Sequence, residues 1–156
     1  MEIEIVQKNF QFLEPFEPLE EVKNIIVHHT SRVNMTAEQC HEFHQKERGW
    51  SGIGYNFFIE KDGTIVEGRG HHVGAHAYGF NRTSIGICMT GDFDIENPTY
   101  KQWTSFLKLS DYIMKQYQLS PHQVLGHREL EGVQKSCPGK LVNLNEVRHQ
   151  IAEYLH

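Results

Sequence analysis

The chain has 156 residues and a formal net charge of −5, a length that suits one domain whose core needs no disulfide or metal staple. No run of Lys or Arg offers the basic footprint of backbone-driven nucleic-acid binding, and no apolar segment reaches membrane-spanning length. The three cysteines, Cys40, Cys88 and Cys137, are odd in number and far apart, which argues against a disulfide framework.

From the amino terminus, MEIEIVQKNFQFLEP carries acids where a signal peptide needs a basic segment and a long apolar one. The expectation is a protein synthesised in the cytoplasm with no secretion signal of its own. The segment NIIVHH, 24–29, reads as a short buried strand ending in two histidines. Thr36 with Gln39 forms a capping box that opens a helix running to about Arg48, and Gly49 stops it. YNFFIE and TIVEGR flank Asp62-Gly63, a hairpin signal.

SIGICMTG, 84–91, is apolar with small residues interleaved, as a central strand covered on both faces would be. Asn97-Pro98 reads as the cap and first position of a longer helix. Trp103, Phe106, Leu107, Ile113, Met114 and Tyr117 hold helical spacing up to the turn at Ser120-Pro121. VLGH, 124–127, gives one more short strand ending in a histidine. Asn143 with Glu146 caps a last helix that buries Val147, Ile151 and Leu155. There is no repeat, low-complexity stretch or linker. The fold class is α/β: a single domain with a central mixed β-sheet flanked by about three α-helices.

Eleven histidines are more than packing requires. His28 and His127 each end an expected strand, where side chains from separate strands converge on one cleft. His28 and His29 alternate faces, so only one of them points into a given site, and the residues alone leave the choice open. His71 and His72 read as a solvated glycine-rich turn. His41 and His44 share a helix face, a spacing that metal sites use, but only Cys40 is placed to complete a set, so they read as surface or core histidines.

Cys137 is followed by Pro-Gly and is held in a turn. A thiolate there binds zinc at about 2.3 Å beside imidazoles at about 2.0–2.1 Å. Two His and one Cys leave a fourth position for water, the arrangement of a catalytic zinc, which lowers the pKa of that water to about 7.

Several separated motifs carry a family resemblance: VHHT at 27–30, GYNFFIEKDGTIVEGRG at 54–70, VGAHAYGFNRTSIGICMTGDF at 73–93, and GHRE with KSCPG. In this order they resemble the type-2 zinc-dependent N-acetylmuramoyl-L-alanine amidases, which include small phage lysozymes of amidase activity and the peptidoglycan recognition proteins. The likeness runs from about residue 22 to the last helix.

By position, the resemblance implies one Zn2+ per chain, held by His28, His127 and Cys137. It implies Tyr55 as the catalytic tyrosine and Lys135 as the lysine of the phage-lysozyme subgroup. His76 and Asn81 are expected to line the substrate groove, and His29, the histidine that is not a ligand, to pack or contact substrate. A cation aimed at the carbonyl oxygen stabilises an amide-hydrolysis transition state more than the ground state, and Lys135 takes that role. Tyr55 either orients the attacking water or donates to the oxyanion; without the resemblance it would read as an ordinary strand aromatic. Receptor members that only bind peptidoglycan lack the ligand cysteine, so Cys137 points to an enzyme.

The expected reaction is zinc-dependent hydrolysis of the amide between N-acetylmuramic acid and L-alanine in peptidoglycan, with zinc-bound water as nucleophile. The expected setting is a monomeric phage or prophage lysin that acts on the cell wall after release. The expectation is that residues 1–156 form a single catalytic domain, 1–21 being its extension, without a separate wall-binding domain. The alternatives are a non-catalytic peptidoglycan sensor and an amidase that also binds and inhibits an RNA polymerase, which no residue here supports or opposes. One departure is plain: no cysteine pair exists for the disulfide typical of extracellular recognition proteins.

Overall fold

Apolar residues alternate along each central strand of this chain, and the alternation sorts them onto two faces of one sheet. The computed structural model describes residues 3–155. Its strands are β1 (Val6–Gln7), β2 (Asn24–His29), β3 (Phe57–Ile59), β4 (Ile65–Glu67), β5 (Ser84–Met89) and β6 (Val124–Gly126). They form one mixed sheet in the order β1-β4-β3-β5-β2-β6. β2 runs parallel to both β5 and β6, β3 runs parallel to β5, and β3 with β4 forms the antiparallel hairpin.

Helices α2 (Tyr100–Tyr117) and α3 (Leu144–Tyr154) cover one face. There Ile25, Val27, Phe57, Ile85 and Ile87 pack with Phe106, Leu109, Ile113, Val147 and Ile151. The other face carries Phe58, Val66 and Cys88 against Ala37 and Cys40 of α1 (Ala37–Lys46), and Ile26 against Ala77 and Leu130. Burial of a side chain of this size stabilises by roughly 1.5–3 kcal/mol, so the alternation fixes the register of β2. A one-residue slip would exchange His28 with His29 and break both cores.

Four local expectations shift. The first helix ends at Lys46 with Glu47 as its cap, a little before Arg48, while Gly49 follows in a left-handed conformation at φ 71°. The longer helix begins at Tyr100, not at Pro98: Thr99 accepts from the Gln102 amide and Gln102 bonds back, and this reciprocal box outcompetes the Asn-Pro start. Leu155 is 38% exposed because the helix ends before it. Tyr55 lies ahead of β3, not within a strand. The N-terminal segment also contributes an unforeseen edge strand, β1, pairing with β4.

Candidate metal centre

Parallel pairing puts the carboxyl ends of β2 and β6 side by side, and that edge is where His28 and His127 arrive. His28 pairs in register with Cys88 of β5 and points to the α1 face. His127 opens the 3-10 turn His127–Glu129 that follows β6 directly. Cys137 comes from the next loop. Among the described residues these three form a group whose ligand-capable atoms all lie within 4.8 Å of one another. Cys137 Sγ lies 3.7 Å from Nδ1 of His28 and accepts from the His29 amide at 3.4 Å.

The cysteine loop is held from both sides. The Arg128 guanidinium donates to the carbonyls of Ser136, Gly139 and Val142, while the Asp94 carboxylate accepts from the Ser136 hydroxyl and the Lys140 amide. Gly139, at φ 113°, crosses so close to Phe93 that a Cβ would sit 2.5 Å from its backbone. Only glycine fits there.

The electrostatics suit metal ligation. Burial lowers the pKa of His28 and His127, and Lys135 pushes His127 further down, so both imidazoles are neutral at pH 7, as ligands must be. Burial pushes the free Cys137 thiol up to about 12, against the pull of Lys135 and Arg128; a cation beside it would release that proton. The side-chain Nδ1 of His127 is buried without a hydrogen-bond partner among the described residues. An unpaired buried acceptor costs about 1–3 kcal/mol. A metal ion among the three groups would give it a partner.

Above the three groups lies a cleft of about 460 Å³, lined also by Tyr55, His44, Trp50, Arg48, His76 and Lys135. Lys135 is exposed at its edge. The Tyr55 ring sits 5.2 Å from that of His28, and burial, reinforced by Cys88, Cys40 and Cys137, holds its hydroxyl pKa well above the usual phenol value. A broader open groove of about 790 Å³ continues along α1, sharing Arg32, Met35 and Phe43 with the cleft.

Of the three residues expected along the groove, His29 and His76 line the cleft, while Asn81 is spent on backbone amides. The His29 ring is buried; its Nδ1 accepts from the Phe93 amide at 3.1 Å and its Nε2 pairs with the Ser31 hydroxyl at 3.0 Å. Asn81 Oδ1 accepts from the amides of His76 and Ala77, both at 2.9 Å. His76 lines the cleft but turns both ring nitrogens into the protein, one to His28 and one to Ser84.

His41 and His44 are core histidines, accepting from the amides of Ile53 and Gly54. His71 is half-buried against Tyr117 and His72 is exposed. Sequence reasoning missed Asp94, Arg128 and Asn56. Buried Asn56 ties the 70–72 loop to β5 through bonds to the Gly70 and His72 carbonyls and the Gly86 amide. An asparagine inside an otherwise apolar run was the available signal.

The family described as N-acetylmuramoyl-L-alanine amidase matches residues 18–140. The N-acetylmuramoyl-L-alanine amidase LysC of Clostridium intestinale superposes with a TM-score of 0.88 at 37% identity, covering 96% of this chain and 97% of that one. Peptidoglycan-recognition protein LB of Drosophila melanogaster is 36% identical over 126 residues, covering 74% of this chain. The chain spans 53% of that relative's length. A variant of Drosophila PGRP-LB in complex with tracheal cytotoxin superposes with a TM-score of 0.78 at 28% identity, covering 92% of each chain. The profile match across most of the fold, around a His-His-Cys centre of this geometry, shows that the chain belongs to the N-acetylmuramoyl-L-alanine amidase family.

Proposed function

We propose that this protein hydrolyses the amide between N-acetylmuramic acid and L-alanine in peptidoglycan, using one zinc ion held by His28, His127 and Cys137. The observation that carries the reading is the convergence of those three groups under a cleft, with the His127 Nδ1 left without a partner. Two imidazoles and a thiolate favour zinc over harder cations. When bound, zinc polarises a carbonyl and activates water at neutral pH.

The chain's own residues supply the rest. Lys135, the cation at the cleft edge, stabilises charge that develops on the carbonyl oxygen. Tyr55 keeps its proton at neutral pH because burial disfavours the phenolate, so it acts as a neutral hydrogen-bond donor, not as a base. The groove along α1 receives the stem peptide beyond the scissile bond. A role as a phage-type lysin draws support from the likeness to the endolysin amidase LysCS of Clostridium intestinale, which superposes with a TM-score of 0.88 at 37% identity.

The test is digestion of purified cell walls, with fragments identified by mass spectrometry before and after chelation. Free lactyl-muramic carboxyl groups paired with free L-alanine amines, lost on chelation and restored by zinc, are the expected result. Tight fragment binding without cleavage would overturn the reading in favour of a sensor. Walls that differ at the third stem-peptide residue report the preferred substrate in the same assay.

A further inference from the structure

A histidine can ligate through one ring nitrogen only if its other nitrogen holds the proton, and something must keep it there. For His28 the structure supplies a chain of three polar groups. The His28 Nε2 meets the His76 Nδ1 at 2.9 Å, and the His76 Nε2 meets the Ser84 Oγ at 3.2 Å. The Ser84 hydroxyl donates to the Phe80 carbonyl at 2.6 Å. All three side chains are buried, at 1%, 9% and 1% exposure.

The direction of every proton follows from the last link. A carbonyl can only accept, so the single hydroxyl proton of Ser84 is committed to Phe80. Ser84 Oγ then accepts from the His76 Nε2–H. A neutral imidazole carries one N–H, which makes the His76 Nδ1 an acceptor. His28 must therefore carry its proton on Nε2, and its Nδ1 lone pair faces Cys137.

The fold builds the seat for this ring deliberately. Asn81 clamps the backbone at His76 and Ala77. β5 offers glycine beneath the ring: a Cβ on Gly86 would lie 2.5 Å from the His76 ring atoms.

We propose that His76, oriented by Ser84, is a positioning residue that fixes the tautomer of His28 and thereby presets its Nδ1 for the metal. His76 then acts through His28 and does not contact substrate. This inference rests on the zinc reading for its consequence, but the proton assignment stands in the metal-free chain.

Long-range proton–nitrogen NMR on the metal-free wild type reads the tautomer directly. The expected result is a proton on His28 Nε2; a proton on Nδ1 overturns the proposal whether or not the chain binds zinc. Zinc competition against a chromophoric chelator supplies the second readout. His76→Ala is expected to weaken zinc binding by about 10- to 100-fold. His76→Asn, whose Oδ1 can replace the lost acceptor, should recover most of that loss. A folded His76→Ala chain with wild-type zinc affinity would overturn the proposal, as would an Asn variant no better than Ala at equal melting temperature. Failure of the wild type itself to bind zinc would sink the zinc reading while leaving the tautomer measurement intact.

Discussion

Two pairs of histidines lie on the same face of the sheet and make different contacts. His41 and His44 project from α1, and each spends its Nδ1 lone pair on a backbone amide, of Ile53 at 3.0 Å and of Gly54 at 2.8 Å. They hold the chain between α1 and β3. His28 turns its Nδ1 to the Cys137 thiol at 3.7 Å, and the His127 Nδ1 has no partner among the described residues. Residue type is the same in both groups, and His28 is as buried as His41 and His44, while His127 is half-buried. What separates the structural histidines from the candidate ligands is that backbone amides fill the acceptors of the former and not of the latter.

The contrast breaks most severely at the ligands. Cys137→Ser or His127→Ala should lower wall-digesting activity by more than about 100-fold, beyond what loss of a supporting hydrogen bond costs. Metal analysis of the purified variants should show the zinc gone; wild-type zinc content together with wild-type rate would refute the ligand set.

Lys135→Ala probes the charge beside the centre. It should reduce kcat by about 10²- to 10³-fold, the cost of one oxyanion donor, while zinc content stays at one per chain. A change confined to KM would mean that Lys135 only holds substrate.

On the structural side, His44→Ala leaves the buried Gly54 amide unpaired and should cost about 1–3 kcal/mol of stability. Urea unfolding of the metal-free chain measures it, and zinc affinity of the folded variant should not move. If zinc binding falls instead, the division between the two groups is wrong.

The mildest effect is on pH dependence. Burial lowers the pKa of His44 to about 4, with a further push from Arg48 and Arg69, and lowers that of His28 and His41 as well. Above the ordinary value of 6.5 these rings are neutral in both states and add no pH dependence. As pH falls from 6.5 towards 4, the unfolded chain takes up protons that the folded chain refuses, so stability declines. The urea midpoint of the metal-free chain should drop across that window, with a shallower slope for His44→Gln. A midpoint that holds constant from pH 7 to 5 would contradict the assignment of neutral buried rings.

Much of this molecule was legible beforehand. The strand at 24–29, the hairpin at Asp62-Gly63 and the last helix follow from periodicity and turn chemistry, which act over a few residues. The start of α2 was misplaced because two caps compete within three positions, and the Thr99–Gln102 pair closes two hydrogen bonds where Asn97-Pro98 closes none that the helix uses. β1 was missed because two residues at a sheet edge carry no period. Of the site, the residue types that could hold a metal were legible from the chain, and the grouping of His28, His127 and Cys137 was expected from family likeness. The bonds of His29 to Phe93 and of His76 to His28 were not legible, because those contacts join residues from separate parts of the chain.

The sequence by itself determined which residues could hold a metal, and that the two histidines would sit at strand ends and the cysteine in a turn, since strand alternation and turn residues are local properties. Tertiary structure decided the remainder. The pairing of β2 with β5 and β6 put His28 on the α1 face and His29 beneath Phe93, and it brought His127 and Cys137 to His28 across about a hundred residues of chain. It also set His76 and Ser84 behind His28. Those contacts depend on strand order and loop closure, and no short stretch of sequence encodes either.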